Sequence, residues 1–367
     1  MQNNMNIKIN NLVVKYNGRI VGYLRLFDNM SIGFQYDNEW IANGFSISPL
    51  SLPLSDKIYI SNKDKFDGLY GVFNDSLPDG WGELLLRRTL LKRGINYDNL
   101  SPLIKLTLIN KNGLGALTYE PCQMKENEDF GDLDKIASDC KNILDDKEAN
   151  NIDQLCALGG SSGGARPKAH IRINGDYWIV KFPCSFDPKN ISLKEFEANE
   201  MAKKCGLRVN EFALLPSKKS KGYFASKRFD RIDGKRVHVI SLSALLETSH
   251  RYSNLDYMHL FQVTKLICKD KEELYEVYRR MCFNVLYGNL DDHGKNFAYI
   301  YDDDKKSYYL SPFYDITKTN NQSEHEMTVL GNGNPGIDDL IEIIDKVQLS
   351  KDKCLKILSD IRKKLTE

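Results

Sequence analysis

The sequence predicts an α+β fold, with β-hairpins through its first 240 residues and helices through the rest. Three observations carry that expectation. Asn-Gly pairs at Asn17-Gly18 and Asn174-Gly175 each sit between apolar runs, the strongest short-range hairpin signal. Beyond Ser241 the apolar residues recur at helical spacing, over Tyr257 to Cys268, Glu272 to Leu286, Ile337 to Val347 and Lys351 to Leu365. The second of those helices runs straight into a polar loop, Gly288-Asn-Leu-Asp-Asp-His-Gly-Lys-Asn-Phe297, around which the remaining chemistry is arranged.

Composition sets the class. A chain of 367 residues with 41% hydrophobic and 10% aromatic content has enough apolar surface for two or three packed domains. The 51 basic and 50 acidic residues leave a net charge of +1, so no overall field favours nucleic acid or an anionic membrane. The polar start, Met1 to Lys8, lacks the apolar core of a secretory signal, and no apolar run reaches the roughly 18 residues of a membrane span. Eight cysteines with no Cys-x-x-Cys pair speak against zinc or a disulfide framework. Reduced thiols and a cytoplasmic location are the expectation.

In chain order, the first hairpin spans Leu12 to Leu24, with further short strands at Ser31 to Tyr36 and Lys57 to Ile60. A helix starts near Pro78, where proline costs least, and runs to Arg88. Leu77-Pro-Asp-Gly-Trp81 reads as a packed turn without chemistry of its own. Asn112-Gly113 turns the chain into a strand at Ala116 to Tyr119, closing a small β-rich subdomain over residues 1–125. In the charged stretch Lys125 to Asp146, the residues Leu133, Ile136, Ala137, Cys140 and Ile143 keep helical spacing and predict a connecting helix. The basic cluster Lys218, Lys219 and Lys221 reads as a solvated loop.

Leu158-Gly-Gly-Ser-Ser-Gly-Gly-Ala-Arg-Pro-Lys168 holds four glycines in six residues, which lets backbone amides approach an anion closely. Gly163 and Gly164 supply amides, while Ser161, Ser162 and Lys168 add donors; the spacing is not that of a Walker loop, and a plain flexible loop is the rival reading. The hairpin that follows, Lys168 to Ile173 and Tyr177 to Pro183, carries Lys181 in mid-strand between apolar neighbours. Such a lysine either holds the α- and β-phosphates of a nucleotide or points to solvent from an edge strand. The helix opened by Ser192 brings Glu195, which either pairs with Lys181 or completes a Ser-x-x-Glu capping box. Strands at Glu211 to Leu215 and Gly222 to Phe229 complete this part, residues 126–240.

In the polar loop, Asp291 and Asn296 stand five positions apart (296 − 291), the spacing of a catalytic aspartate and a metal-holding asparagine in phosphoryl transfer. Asp315, in Ser311-Pro-Phe-Tyr-Asp315, lies nineteen residues beyond Asn296 (315 − 296), where a second metal ligand is expected. The chemistry needs these types: a carboxylate orients the attacking hydroxyl, and a hard cation on oxygen ligands neutralises phosphate charge. Asp and Gly are also ordinary turn residues, so each match alone is weak. The sequence order of glycine loop, lysine, glutamate, aspartate, asparagine and aspartate is what specifies a two-lobed protein-kinase-like fold using ATP and Mg2+. Residues 241–367 would then be an all-helical C-lobe, with short strands bracketing the turn Asp302 to Asp304.

Beyond that order, the chain resembles the HipA family of bacterial serine/threonine kinases, the toxin half of HipB-HipA modules. The resemblance rests on Gly159-Gly-Ser-Ser-Gly-Gly-Ala-Arg-Pro-Lys168, Ile179-Val-Lys-Phe-Pro183, Arg228-Phe-Asp-Arg231, the loop Gly288 to Phe297 and Ser311-Pro-Phe-Tyr-Asp315, with the Asn17-Gly18 hairpin and Leu77-Pro-Asp-Gly-Trp81 resembling the first subdomain. It implies Asp291 as catalytic base, Asn296 and Asp315 as magnesium ligands, and Lys181 on the ATP phosphates. It also implies that Ser161, or Ser162 beside it, is phosphorylated by the kinase itself, ejecting the loop. Phe229 would lie against adenine, with hinge bonds from the backbone near Lys227 and Arg228. Lys227 replaces the glutamate commonly seen there, so the resemblance implies backbone and not side-chain contacts from that position.

The resemblance further implies growth arrest by phosphorylation of an aminoacyl-tRNA synthetase, restraint by a HipB-like DNA-binding antitoxin, and DNA contact only through that antitoxin. Two other classes stand beside this one. Asp-x-His-x-x-Asn, with His293 at the matching place, also occurs in aminoglycoside- and choline-type phosphotransferases, which are small-molecule kinases. A catalytically weak module that joins an antitoxin to its operator is the third.

Overall fold

The computed structural model describes residues 5, 8–124, 131–147, 151–185, 187–249, 251–319 and 322–367. Two compact units form. The first comprises Met1–Leu193, Ala213–Ile240 and Ala244–Glu247; the second comprises Lys194–Phe212, Ser241–Ser243 and Thr248–Glu367.

In the first unit, strands β1 (Asn11–Tyr16) and β2 (Arg19–Leu26) close the expected hairpin. Asn17 at φ 46° and Gly18 at φ 85° are both left-handed, as a tight turn matched to strand twist requires. With β3 (Ile32–Tyr36), β4 (Tyr59–Ile60) and β5 (Leu117–Glu120) they build a five-stranded sheet in the order β4-β3-β2-β1-β5. One face buries Val14, Tyr16, Val21, Leu24, Phe34 and Tyr36. Trp40 and Phe45 meet Tyr16 edge-on, each at 5.5 Å between ring centroids. Trp40 comes from a short helix, Asn38–Asn43, absent from the sequence expectation because six residues are too few to show a period. Its start is fixed instead by the Asp37 carboxylate, which accepts from the Glu39 N–H at 2.9 Å.

The second sheet of this unit has the order β6-β7-β9-β8, from Lys168–Ile173, Asp176–Lys181, Phe212–Leu215 (β8) and Tyr223–Lys227 (β9). Strand β7 is paired on both sides, so the edge-strand reading of Lys181 is set aside. The charged stretch holds its helix at Leu133–Leu144, while 125–130 lie outside the described residues. That helix is tied to the β8–β9 loop through Asp134, whose carboxylate accepts from Ser217 Oγ, the Lys218 N–H and the Tyr223 hydroxyl at 2.6 to 2.9 Å.

The second unit carries the helices Tyr257–Ile267, Glu272–Tyr287, Ile337–Val347 and Lys351–Thr366, together with most of the helix Ile191–Lys204. Among them lie the short strands expected around the Asp302 turn and one further pairing. Ala298–Asp302 pairs antiparallel with Ser307–Leu310, as the spacing around the Asp302 turn suggested, and Leu255–Asp256 pairs parallel with Met327–Thr328, which no local pattern announced. A further correction concerns the helix Ile191–Lys204, which starts one residue ahead of Ser192. Ser192 thus lies inside the first turn, and the capping-box reading of Glu195 is set aside.

Candidate active site

The polar loop begins where the helix Glu272–Tyr287 stops. Gly288 at φ +81° is a left-handed cap whose N–H returns to the Asn284 carbonyl. Asn289 continues the stop by donating from Nδ2 to Asn284 Oδ1 at 2.8 Å. The next two acids face opposite ways. Asp292 is 1% exposed, and its carboxylate accepts from the Tyr257 hydroxyl at 2.7 Å, His325 Nδ1 at 2.9 Å and the backbone N–H groups of Glu326 and Met327. Asp291 keeps a side chain 49% exposed, with His293 Nε2 3.7 Å from its Oδ1. Asn296 is buried and donates from Nδ2 to the Asp291 carbonyl at 2.8 Å, which fixes the loop between the two residues that the spacing singled out.

The segment carrying Asp315 is stitched to this loop. Tyr314 donates its hydroxyl to the Lys295 carbonyl at 2.6 Å, Thr317 N–H meets Asn289 Oδ1 at 3.3 Å, and Thr319 bonds both the Gly288 carbonyl and the Leu290 N–H. Upstream, Arg280 is fully buried on Glu276 and reaches the Ser311 carbonyl, anchoring the segment's start. Asp315 itself has φ +58°, a left-handed backbone uncommon for a non-glycine residue. Burial raises the Asp291 carboxyl above the ordinary aspartate range; His293 opposes this, and the nearby charge of Asp315 adds to it. Asp291, His293, Asn296 and Asp315 therefore share one site in the second unit.

The first unit carries the other candidates. Lys168 and Lys181 are direct cross-strand partners, which puts their side chains on one face of the sheet. Lys181 Nζ lies 5.7 Å from the Phe224 ring centroid on that face. Lys227 pairs with Trp178 and so points from the opposite face, where its ammonium meets Asp176 at 2.7 Å. The backbone N–H of Arg228 is spent on the Tyr177 carbonyl, leaving no hinge donor at that position. Its guanidinium is buried against Asp230 and the carbonyls of Asn112 and Gly113. Arg-Phe-Asp-Arg is thus largely a fastening between this sheet and the turn at 111–115, while Phe229 is half-buried beside it.

Ser161 and Ser162 are 6% and 3% exposed. Ser161 Oγ donates to Asn110 Oδ1 at 3.0 Å, and Ser162 Oγ is held by the Gly159 carbonyl. Gly163 and Gly164 follow, the latter at φ +81°, with the Lys168 ammonium folded against it: a Cβ there would stand 2.7 Å from Lys168 Nζ. Glu195 is 2% exposed in the second unit, and its carbonyl accepts from Asn199 Nδ2 at 2.8 Å.

The donor set fits magnesium in one particular way. Mg2+ prefers oxygen ligands and is bound through one or two side chains plus substrate phosphates, not by an all-protein cage. Asn296 and Asp315 would be the side chains to supply such a set, and no cluster of three or more His, Cys, Asp or Glu suited to a metal occurs among the described residues.

An α+β chain whose second unit carries this carboxylate and amide loop has a two-lobed, protein-kinase-like fold. The family is narrower: the HipA N-terminal domain matches residues 12–120 and the HipA-like C-terminal domain matches residues 160–367, so the chain belongs to the HipA family. Among solved structures it is similar to HipA of Shewanella oneidensis MR-1, determined with HipB and operator DNA, at a TM-score of 0.73, 19% identity, and coverage of 95% of this chain and 88% of that one. It is 26% identical over 281 residues to "Putative kinase Y4dM" of Sinorhizobium fredii, covering 71% of this chain and 67% of that protein. Against the serine/threonine-protein kinase CtkA of Helicobacter pylori it is 27% identical over 180 residues, spanning 45% of this chain and 52% of CtkA. No helix among the described residues is long and apolar enough to cross a membrane.

Proposed function

We propose that this chain is an ATP- and Mg2+-dependent protein serine/threonine kinase of HipA type that phosphorylates itself on Ser161. The observation that carries this assignment is the outward carboxylate of Asp291, held beside Asn296 and a left-handed Asp315 by an otherwise buried scaffold. Asp291 orients the substrate hydroxyl and takes its proton. Asn296, its NH2 turned to the Asp291 carbonyl, presents its amide oxygen to the cation, and Asp315 supplies the carboxylate. Lys181, on the face shared with Lys168, binds the phosphates; Gly163, Gly164 and Ser162 line the loop above them, and Phe229 packs on the base. Glu195 is assigned to hold Lys181. When bound, Mg·ATP supplies the phosphoryl group and a charge-neutralised leaving oxygen.

The HipA family and kinase-named relatives support this class over a module that only binds an operator. The HipA–HipB–operator complex among similar structures also supports a HipB-like antitoxin as partner; DNA contact only through that antitoxin, and action in the cytoplasm, follow from the family resemblance alone. An aminoacyl-tRNA synthetase as target follows from the family resemblance alone. Incubation of the purified chain with labelled ATP and Mg2+, followed by mapping of peptides over residues 157–168, tests the activity. Label on Ser161 in the wild type and none in Asp291→Ala is expected; an unlabelled wild type, or label that survives the substitution, contradicts it. His293 beside Asp291 also suits small-molecule phosphotransferases, and transfer to aminoglycosides or choline without any labelled protein would favour that class.

A further inference from the structure

The segment Leu77-Pro-Asp-Gly-Trp81 carries no chemistry in the assignment above, yet it is fastened directly to the glycine loop. Asp79 is the N-cap residue of the helix Gly80–Leu91 but makes no side-chain capping bond. An aspartate there ordinarily accepts from the N2 or N3 amide of its own helix. Here its Oδ1 accepts instead from the N–H of Gly164. In the opposite direction, the Trp81 N–H donates to the Gly164 carbonyl at 3.0 Å, and the Trp81 indole donates to the Lys168 carbonyl at 3.1 Å. Both backbone groups of Gly164 are therefore held by residues 79 and 81.

The glycines of the segment follow from the same contact. A Cβ on Gly80 would stand 2.6 Å from the Gly164 carbonyl oxygen, and one on Gly82 would stand 2.4 Å from that of Ser162. Real side chains do not approach backbone so closely, so the segment is small because the loop lies on it. With the loop in this place, the Ser161 hydroxyl is turned inward onto Asn110, whose backbone N–H it meets at 3.4 Å and whose side chain it meets at 3.0 Å.

We propose that Asp79 is a positioning residue that latches the glycine loop: by holding Gly164 it sets the loop where nucleotide phosphates bind and keeps Ser161 turned inward until the latch opens. This rests on the kinase assignment for the meaning of the loop, but not for the latch itself. Hydrogen exchange over residues 157–168 in the full chain, with Asp79→Ala and Asp79→Asn, separates the two. Asparagine keeps an oxygen at the acceptor position, so it is the rescue variant.

In Asp79→Ala, Gly164 is expected to exchange on the order of tenfold faster or more, as loss of one charge-assisted hydrogen bond predicts. In an Asp291→Asn background, the same change is expected to weaken Mg·ATP binding by a similar factor, and with Asp291 intact it speeds modification of Ser161. Asp79→Asn restores most of both. Unchanged exchange in Asp79→Ala overturns the latch, as does an Asp79→Asn variant as loose as alanine. Faster exchange with unaltered Mg·ATP affinity overturns the positioning role. A wild type that binds no Mg·ATP removes the kinase assignment, while the exchange data still decide the latch.

Discussion

His325 Nδ1 lies 2.9 Å from the buried carboxylate of Asp292, the residue immediately after the outward-facing Asp291. Through Tyr257 the same carboxylate reaches Asn284 and Asn289, so one buried acid joins two helices, the segment after Asp315 and the loop itself. Adjacent aspartates thus divide the work: Asp292 fixes the backbone from which Asp291 projects.

Replacing Asp292 by alanine strands four donors that it now satisfies. The loss is expected to exceed about 3 kcal/mol of stability, as for other buried charged hydrogen-bond centres with one partner removed. Urea denaturation measures it. A loss under about 1 kcal/mol would mean that the network does not hold the loop.

Asp291→Asn is expected to do the reverse to stability while abolishing phosphoryl transfer. A carboxyl raised in the folded state is held less readily as an anion there than in the unfolded chain, so its ionisation disfavours folding at pH above the raised value. The neutral amide removes that penalty, so the melting temperature at neutral pH should rise, by a small amount because the side chain is half exposed to solvent. NMR titration gives a second check. In Asp315→Asn the Asp291 carboxyl should titrate lower than in the wild type, yet still above the ordinary range because burial is the larger cause.

Lys181 and Lys227 emerge from opposite faces of one sheet, and the two faces predict different outcomes. Lys181→Ala should weaken Mg·ATP binding at least about tenfold, the loss of one charge-assisted phosphate contact. Lys227→Ala removes a partly exposed pair with Asp176 on the face away from Lys181 and should leave affinity within about twofold. Isothermal titration of both variants decides it.

Asp230 is 2% exposed between Arg228 and Arg231. Burial by itself would raise its carboxyl, but the two guanidinium groups overcome that and hold it well below the ordinary range. Asp230→Ala leaves two buried cations uncompensated and should cost about 3–5 kcal/mol. Because the folded carboxyl is depressed, the pair's stabilisation is complete above pH about 4 and fades only as pH falls towards the folded value. Acid unfolding curves of the two proteins should therefore converge at low pH.

What the sequence made legible follows from how local each signal was. Asn17-Gly18 and Asn174-Gly175 encode their turns in two residues, and the helix Glu272–Tyr287 shows its period over four turns. The Asp291, Asn296 and Asp315 spacings could be read at all because these residues lie in two short segments of one unit. Asp292 and Asp79 gave no signal, since their meaning lies in partners 33 and 85 residues away. Ser192 misled because a capping box needs the helix to start one residue later than it does. Arg228 was read for the base beside it, whereas its side chain is committed to a turn more than a hundred residues upstream.

The claim on which the rest depends is that Lys181, Asp291 and Asp315 converge on one nucleotide and its cation. A crystal structure of the full chain with a non-hydrolysable ATP analogue and Mg2+ tests it most directly. The account predicts Lys181 on the α- and β-phosphates, Asn296 and Asp315 on the metal, and Asp291 facing the γ-phosphate. A nucleotide bound away from any of these three residues, with the metal on other ligands, would contradict it.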